Sequence, residues 1–493
     1  MREAPQPPCS PPRPGRPRRT PRNGRCRPGC GVRDRSEGPR RRSTGGSPEA
    51  PIPYRDLVRD ERRPTKLEGN EKVAALKGTH LVLGSLSATV PKIRPVRATI
   101  RRNALPLRLV WSLQLKGVAI VGLGGYAAQH HAAFERLEAA GLCQVVATCD
   151  PVLDSARVPT YRSLDEMLGR HANELDVVTL PVPVPLHAPM HRQVVDMGLA
   201  CYLEKPPTLW WPEYEAMMAV ESRAVRPTQV GFNFIGDPFR QGIKARIDAG
   251  EFGKLKDASL LAVWPRDDKY YARASWAGRK TLSGKPVLDN PLGNAMAHHV
   301  QNLLFLSGAN EIVEVRARLL RAHPIESFDT AFVSAQLPSG VELRFAATHA
   351  DSGAHFERET LTFENAKVVF TAWNRAEIHR DGNVEHLVSE IPNHGAMLEH
   401  NLAAYLDGIA PTPLSACGPF VSLIDLAFLS SGGVQPIAPS RITQRDGKVS
   451  VDGLFDDLNA FAEDGIWPAA PGPSVTPEAL FTLQPDRLLA DWT

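Results

Sequence analysis

Lys205, Asn294 and His298, together with the turn Gly122-Leu-Gly124-Gly125-Tyr126-Ala127 and the acid Asp150, are the residues whose types and spacing could do chemistry. Oxidising a secondary alcohol requires a base for the hydroxyl proton and an acceptor for the hydride. His298 suits the first task, because an unperturbed imidazole titrates at about pH 6.5, close to working pH. Lys205 can orient the hydroxyl and stabilise developing alkoxide charge with its ammonium. Positions 294 and 298 are one helical turn apart and are expected to face the same side. The glycine turn points to the hydride acceptor. Gly122 permits a tight turn out of a strand, Gly124 lets the backbone approach a pyrophosphate, and Ala127 is small enough for close helix–strand packing. Asp150 lies 23 residues beyond Ala127, where a carboxylate can accept hydrogen bonds from ribose hydroxyls. Asp150 is followed by Pro151 and no adjacent cation, which favours NAD. Arg157 or Arg162 could fold back, so NADP is kept as the alternative.

These residues need a frame. Gly117–Val121 is a short β-prone run, followed by the glycine turn and a helical pattern placing Ala127, His131, Phe134 and Leu137 on one face. A second β-prone run, Gln144–Thr148, ends at Cys149-Asp150, completing a βαβ unit. Leu175–Leu180, Ala200–Leu203 and Gln229–Asn233 continue the alternation, with a helix over Pro189–Met197. The expectation is a doubly wound parallel sheet over residues 116–235. Over 236–435 a different pattern appears: a helix at Asp237–Asp248, then β-prone runs at 311–320, 328–337, 340–349 and 360–371. Pro338-Ser-Gly340 and Asp381-Gly382 read as tight turns, so antiparallel pairing is expected. Residues 436–493 form a C-terminal tail with a helical patch at Leu454–Phe461 and no assigned role.

At Glu204-Lys205-Pro206 the chain resembles the Gfo/Idh/MocA oxidoreductases, over about residues 116–435. The resemblance rests on the glycine turn, Asp150, the segment Pro183 to His187, Glu204-Lys205-Pro206, Val230-Gly-Phe-Asn233 and Asn294-Ala-Met-Ala-His298. It implies an α/β fold in which a Rossmann domain binding NAD or NADP precedes an α+β domain with a largely antiparallel open sheet. A carbohydrate-like substrate is expected between them. It also implies cofactor contacts from Gly122, Gly124, Gly125, Tyr126, Ala127, Asp150, Pro183, His187, Glu204 and Lys205. Substrate contacts are expected from Lys205, Tyr271, Arg273, Trp276, Asn294 and His298, with Lys205, His298 and Asn294 carrying the reaction and no metal involved. Two departures stand out. Asn294 replaces the family's usual Asp, leaving Asp289 as the nearest acid able to substitute, and Val184 stands where the family often has Asn. They motivate an alternative, a catalytically weak or inactive NAD-binding sugar sensor of the same fold.

Charge separates the chain into two unlike pieces. Residues 1–115 carry 26 basic and 9 acidic side chains, whereas 116–493 carry 32 and 45. The first 75 residues are crowded with Arg, Pro, Gly and Ser and offer little apolar surface, so a disordered extension or a wrongly assigned start is expected over residues 1–115. A nucleic-acid arm is disfavoured, because aromatics for stacking and a periodic basic helix are missing. Seven cysteines in 493 residues are too few for a disulfide framework. No apolar run is read as reaching the roughly 18 residues of a membrane span, and no secretory signal is recognised. A cytoplasmic protein is expected, without membrane or nucleic-acid partners. Homo-oligomerisation is expected too, to cover the open face of the second sheet.

Overall fold

A computed structural model describes residues 115–483 apart from Ala156; the expected disordered extension falls, but for Leu115, outside the described residues. Six parallel strands build the first sheet. They are β1 (Lys116–Val121), β2 (Cys143–Cys149), β3 (Thr160–Tyr161), β4 (Val177–Leu180), β5 (Ala200–Leu203) and β6 (Gln229–Val230), in the spatial order β3-β2-β1-β4-β5-β6. This is the doubly wound order whose ligand crevice opens at the β1/β4 switch point. β1, β4 and β5 are buried almost throughout, as strands covered on both faces must be. The helix Ala127–Ala139 buries Ala127, His130, Ala133, Phe134 and Leu137, so the inward imidazole is His130 rather than His131. That helix and the strands beneath it also receive Leu398, Leu402 and Tyr405 from the helix His394–Leu406. A segment of the 236–435 range thus packs on the first layer.

The second sheet is mostly antiparallel and larger than its sequence runs indicate. Its strands are β7 (Leu255–Val263), β10 (Glu314–Arg321), β11 (Thr330–Gln336), β12 (Glu342–Thr348), β13 (Phe356–Phe363), β14 (Lys367–Ala372), β15 (Arg375–Arg380), β16 (Asn383–Val388) and β17 (Val434–Pro436). They lie in the order β16-β15-β14-β13-β7-β12-β11-β10-β17, with a separate small hairpin of β8 (Thr281–Leu282) and β9 (Lys285–Pro286). β7, the central strand, is missed in the sequence because Lys256, Asp257 and Ser259 break its apolar run. The run 360–371 is two strands, reversed where Phe363 N–H donates to the Ala366 carbonyl at 2.8 Å. Asp381 and Gly382 both take positive φ, 51° and 75°, the type I′ geometry that joins β15 to β16 without splaying them.

The expected tail packs on this domain over its described residues, 436–483. β18 (Ile442–Arg445) and β19 (Lys448–Val451) form a hairpin, and the helix Leu454–Asp464 follows. Val449, Val451, Leu454, Leu458 and Phe461 cover Leu261, Val263, Phe332 and Ala346 on the outer sheet face. Arg344 fastens the helix, donating to the carbonyls of Ala462 and Glu463 while pairing with Asp257 and Glu342. One expectation is corrected here. Leu414–Ser431 is long and apolar enough to cross a membrane by length and composition, but 78% of it is buried inside the protein, as a core helix must be.

Phe461 is fully buried and meets Phe332 edge-to-face at 5.5 Å between centroids. Phe461→Ala is expected to cost about 3–5 kcal/mol in denaturant unfolding; a loss below about 1 kcal/mol would show the tail to be loosely attached.

Candidate active site

The sharp exit from β1 sets the first half of the site. Gly122 has φ 106°, a conformation L side chains rarely adopt, and its N–H donates to the Cys149 carbonyl at 2.7 Å. At Gly124 a Cβ would meet only Leu153 Cδ1, at 3.5 Å. Neighbouring protein atoms therefore do not demand glycine there, and the space is open for a ligand. The N–H groups of Gly124, Gly125 and Tyr126 make no hydrogen bond within the described residues, at the head of a 13-residue helix. Three consecutive free amides at a helix N-terminus fit a pyrophosphate. Asp150 is buried at the end of β2 and accepts from Leu123, Val152 and Leu153 N–H at 3.0, 2.8 and 2.8 Å, which fixes its carboxylate beside the turn. Arg157 is held by Glu135 and Glu138, and Arg162 by Asp154 and the carbonyls of Asp150 and Leu153. Neither guanidinium is left to meet a 2′-phosphate.

The second half gathers around Lys205, at the exit of β5. Its ammonium donates to the Asn294 carbonyl at 2.9 Å. Burial lowers its pKa, and the charges of Glu204 and Asp289 act against that fall. Glu204 is buried beside it, with Oε1 3.0 Å from His130 Nε2 and Oε2 accepting the Lys205 N–H at 3.2 Å. His130 Nδ1 lies in turn 2.9 Å from Thr179 Oγ1 on β4. A Cβ at Gly231 would come within 2.8 Å of Glu204 Oε1, so glycine there leaves room for the carboxylate.

Asn294 sits in a single π-helical turn, Pro291–Ala295, ahead of the helix Ala297–Ser307. Its Nδ2 donates to Asp289 Oδ1 at 2.8 Å, and Asp289 Oδ2 accepts from Gly278 N–H at 2.7 Å. Burial raises the Asp289 pKa, and Arg273, Gly278 and Asn294 oppose the rise. The expected tether from Asn294 to His298 is not made. His298 is oriented by stacking on Phe234, 4.7 Å between centroids and 25° between planes, and its Nδ1 is buried without a partner. Burial, then the positive charges of Lys205 and neighbouring groups, hold its pKa well below 6.5. His298 is therefore neutral at pH 7 and able to accept a proton.

These elements open on one cleft of about 550 Å³, which gathers Gly122, Gly124, Tyr126, Asp150, Pro183 and Glu204 with Lys205, Arg273, Trp276, Asn294 and His298. A larger apolar groove of about 970 Å³, beside Leu137, Phe239 and Ile391, lies elsewhere and contains none of them.

Residues 116–232 match the oxidoreductase family with an NAD-binding Rossmann fold, and residues 241–372 match the GFO/IDH/MocA C-terminal domain. The chain belongs to the Gfo/Idh/MocA oxidoreductase family. Its first domain is that family's NAD-binding Rossmann fold, as the glycine turn indicates. Over 145 residues the chain is 28% identical to the D-apiose dehydrogenase of Paraburkholderia graminis, covering 27% of this chain and 37% of that enzyme's length. Among solved structures, the WlbA dehydrogenase from Bordetella pertussis in complex with NADH and UDP-GlcNAcA superposes with a TM-score of 0.54 at 20% identity, covering 64% of this chain and 96% of that one. A levoglucosan dehydrogenase in complex with NADH gives 0.56 at 15%, covering 64% and 97%. An inositol dehydrogenase homologue from Azotobacter vinelandii, complexed with NADH and myo-inositol, gives 0.52 at 14%, covering 64% and 96%. At these identities the likeness establishes the fold.

Within this family member, two expected contacts lie elsewhere. His187 is fully buried, with Nε2 2.8 Å from the Val182 carbonyl and Nδ1 2.9 Å from that of Pro206. It braces the loops after β4 and β5 and does not face the cleft. Tyr271 turns away to His349, its hydroxyl 3.0 Å from Nδ1, and the adjacent Tyr270 lines the cleft instead. A one-residue choice within a short helix, Asp268–Tyr271, cannot be made from composition. His394 also lines the cleft, arriving from a distant helix with no local signal. His299 is structural: Nδ1 lies 2.6 Å from Glu359 and Nε2 3.4 Å from Glu357.

The His299 cluster should show in pH-dependent stability. Burial opposes its charge, but the two carboxylates outweigh that and raise its pKa to about 9. A folded value above the unfolded one stabilises fully below about pH 6.5, and the stabilisation is lost as pH rises through about 9. The stability gap between the wild type and His299→Gln, from urea unfolding, should be widest near pH 6 and shrink by about pH 10. A gap that widens with pH would reverse the assignment.

Proposed function

We propose that this protein is an NAD-dependent dehydrogenase acting on the secondary alcohol of a sugar, cyclitol or related polyol. The observation that carries the reading is the convergence of Lys205, Asn294 and His298 on the cleft that also contains the glycine turn and Asp150. Gly122, Gly124, Gly125, Tyr126 and Ala127 would hold the pyrophosphate and Asp150 the ribose, with Pro183 and Val184 on the cleft wall. When bound there, NAD takes up the hydride from the alcohol carbon. The chain's own groups manage the proton. The Lys205 ammonium orients the substrate oxygen and stabilises its charge, and neutral His298 accepts the proton. Asn294 holds Lys205 through its carbonyl and is itself held by Asp289, so Asp289 is a positioning residue. Support also comes from relatives crystallised with NADH together with myo-inositol or UDP-GlcNAcA.

A second reading, a sugar sensor that binds NAD and turns over poorly, is favoured by one observation: His298 has no carboxylate partner. Turnover of a sugar and cyclitol panel, followed at the absorbance of reduced nicotinamide, separates the two. Lys205→Met and His298→Gln should each lower kcat/KM by about 10²–10⁴-fold while leaving NAD bound. Binding without turnover, indifferent to Lys205→Met, would assign the sensor.

In the oxidation direction the base works when neutral, so activity should rise through the depressed His298 pKa and be flat across neutral pH. An acid limb centred at or above pH 6.5 would remove His298 from that role. NAD should be preferred over NADP by tenfold or more, roughly 1.4 kcal/mol, because Asp150 would meet the ribose and both nearby arginines are engaged. Equal use of the two would show that one arginine swings free.

A further inference from the structure

Arg273 lines the cleft and makes no direct ion pair among the described residues, although its charge acts on Asp289. It comes from the second domain, in the segment after β7. Its guanidinium carbon lies over two rings, 3.7 Å from the Tyr270 centroid and 4.7 Å from that of Trp276. Of its five N–H donors, the described residues use only those on Nη1, which donates to the Tyr270 carbonyl at 2.6 Å. None of its nitrogens is among the buried polar atoms lacking a partner, so the remaining donors are open to solvent, and Arg273 lines the cleft. By contrast, Arg246 of this domain pairs with Glu251 and Glu385, and Arg344 with Asp257 and Glu342. The nearest acid, Asp289, has its two oxygens committed to Gly278 N–H and Asn294 Nδ2.

We infer that Arg273 anchors a carboxylate on the substrate, so that the preferred substrate class is the sugar acids. This deepens the dehydrogenase reading and rests on it for the identity of the cleft. A planar fork, held by aromatic faces and with free N–H groups in one plane, matches a carboxylate in bidentate fashion. Stacking also lowers the cost of binding, because the side chain is ordered in advance. A phosphate, with close to two charges, calls for more than one cation. Among the described residues the other lysine or arginine lining the cleft is Lys205, which is bound to the Asn294 carbonyl and placed for the reacting oxygen. Trp276 brings an apolar ring to the cleft beside the charge, which suits the C–H face of a pyranose.

The experiment uses matched pairs: D-glucuronate against D-glucose and D-galacturonate against D-galactose, with glucose 6-phosphate as a third arm. Equilibrium binding to the full-length protein saturated with NADH is measured beside turnover with NAD. The acid of at least one pair should bind about tenfold to a hundredfold more tightly than its neutral partner, the range expected for hydrogen bonds to a charged group. Arg273→Gln should bring that ratio close to one without weakening NAD. Arg273→Lys, which keeps the charge and loses the fork, should fall between and guards against a misfolded Gln variant.

Equal or tighter binding of the neutral sugars overturns the inference, as does binding of no sugar at all. Tighter binding of the phosphate than of either acid overturns the carboxylate assignment. Loss of NAD affinity in both variants would make Arg273 a cofactor contact and likewise overturn it. A retained acid preference without turnover supports the anchor while sinking the dehydrogenase reading, so the two fail separately.

Discussion

The bond from the Lys205 ammonium to the Asn294 carbonyl joins the two halves of the active site. One partner stands at the exit of a parallel strand in the Rossmann sheet, and the other in a turn that leads into a helix of the second domain. Both ends must be positioned by their own surroundings for the bond to form. On the Lys205 side, Glu204, His130 and Thr179 form a buried chain reaching β4. On the Asn294 side, the turn is π-helical, with Met296 N–H donating to the Pro291 carbonyl at 2.8 Å. In this wider turn the Asn294 carbonyl also accepts from the Lys205 side chain, and such π-bulges are frequent at functional sites.

That arrangement also accounts for how the departure at Asn294 is accommodated. An acid at 294 would bring a second carboxylate against Asp289, which burial already pushes toward its neutral form. The carboxamide instead donates to Asp289, so positions 289 and 294 bring one acid together rather than two. His298 consequently lacks a carboxylate and relies on the Phe234 face for orientation. Its neutral form follows from burial and the nearby cations, and no single partner dictates it.

What was legible in the sequence was chemistry carried by short, contiguous segments. The glycine turn, Asp150 and Glu204-Lys205-Pro206 each place their groups through a strand end and its turn, and the structure brings them to one cleft. Features set by distant packing were not legible. Tyr270 and Tyr271 have the same composition around them, and only the pull of His349 on Tyr271 decides which one faces the cleft. His394 enters from a helix that packs on the other domain. β7 is central because β12 and β13 flank it, a relation across the chain that its own mixed sequence does not announce.

The C-terminal segment alters the argument for self-association. An exposed apolar sheet face calls for a partner, and the outer face of β7, β11 and β12 is apolar at Leu261, Val263, Phe332 and Ala346. Those four side chains are already buried by the chain's own residues from Ile437 to Ala462. Where the cover ends, the face is charged. Lys367 reaches Glu463 at 3.6 Å, and across from it on β15 His379 lies 3.0 Å from Glu377. Around Leu261, Val263, Phe332 and Ala346 the chain supplies its own cover, so a second copy is not required to bury them.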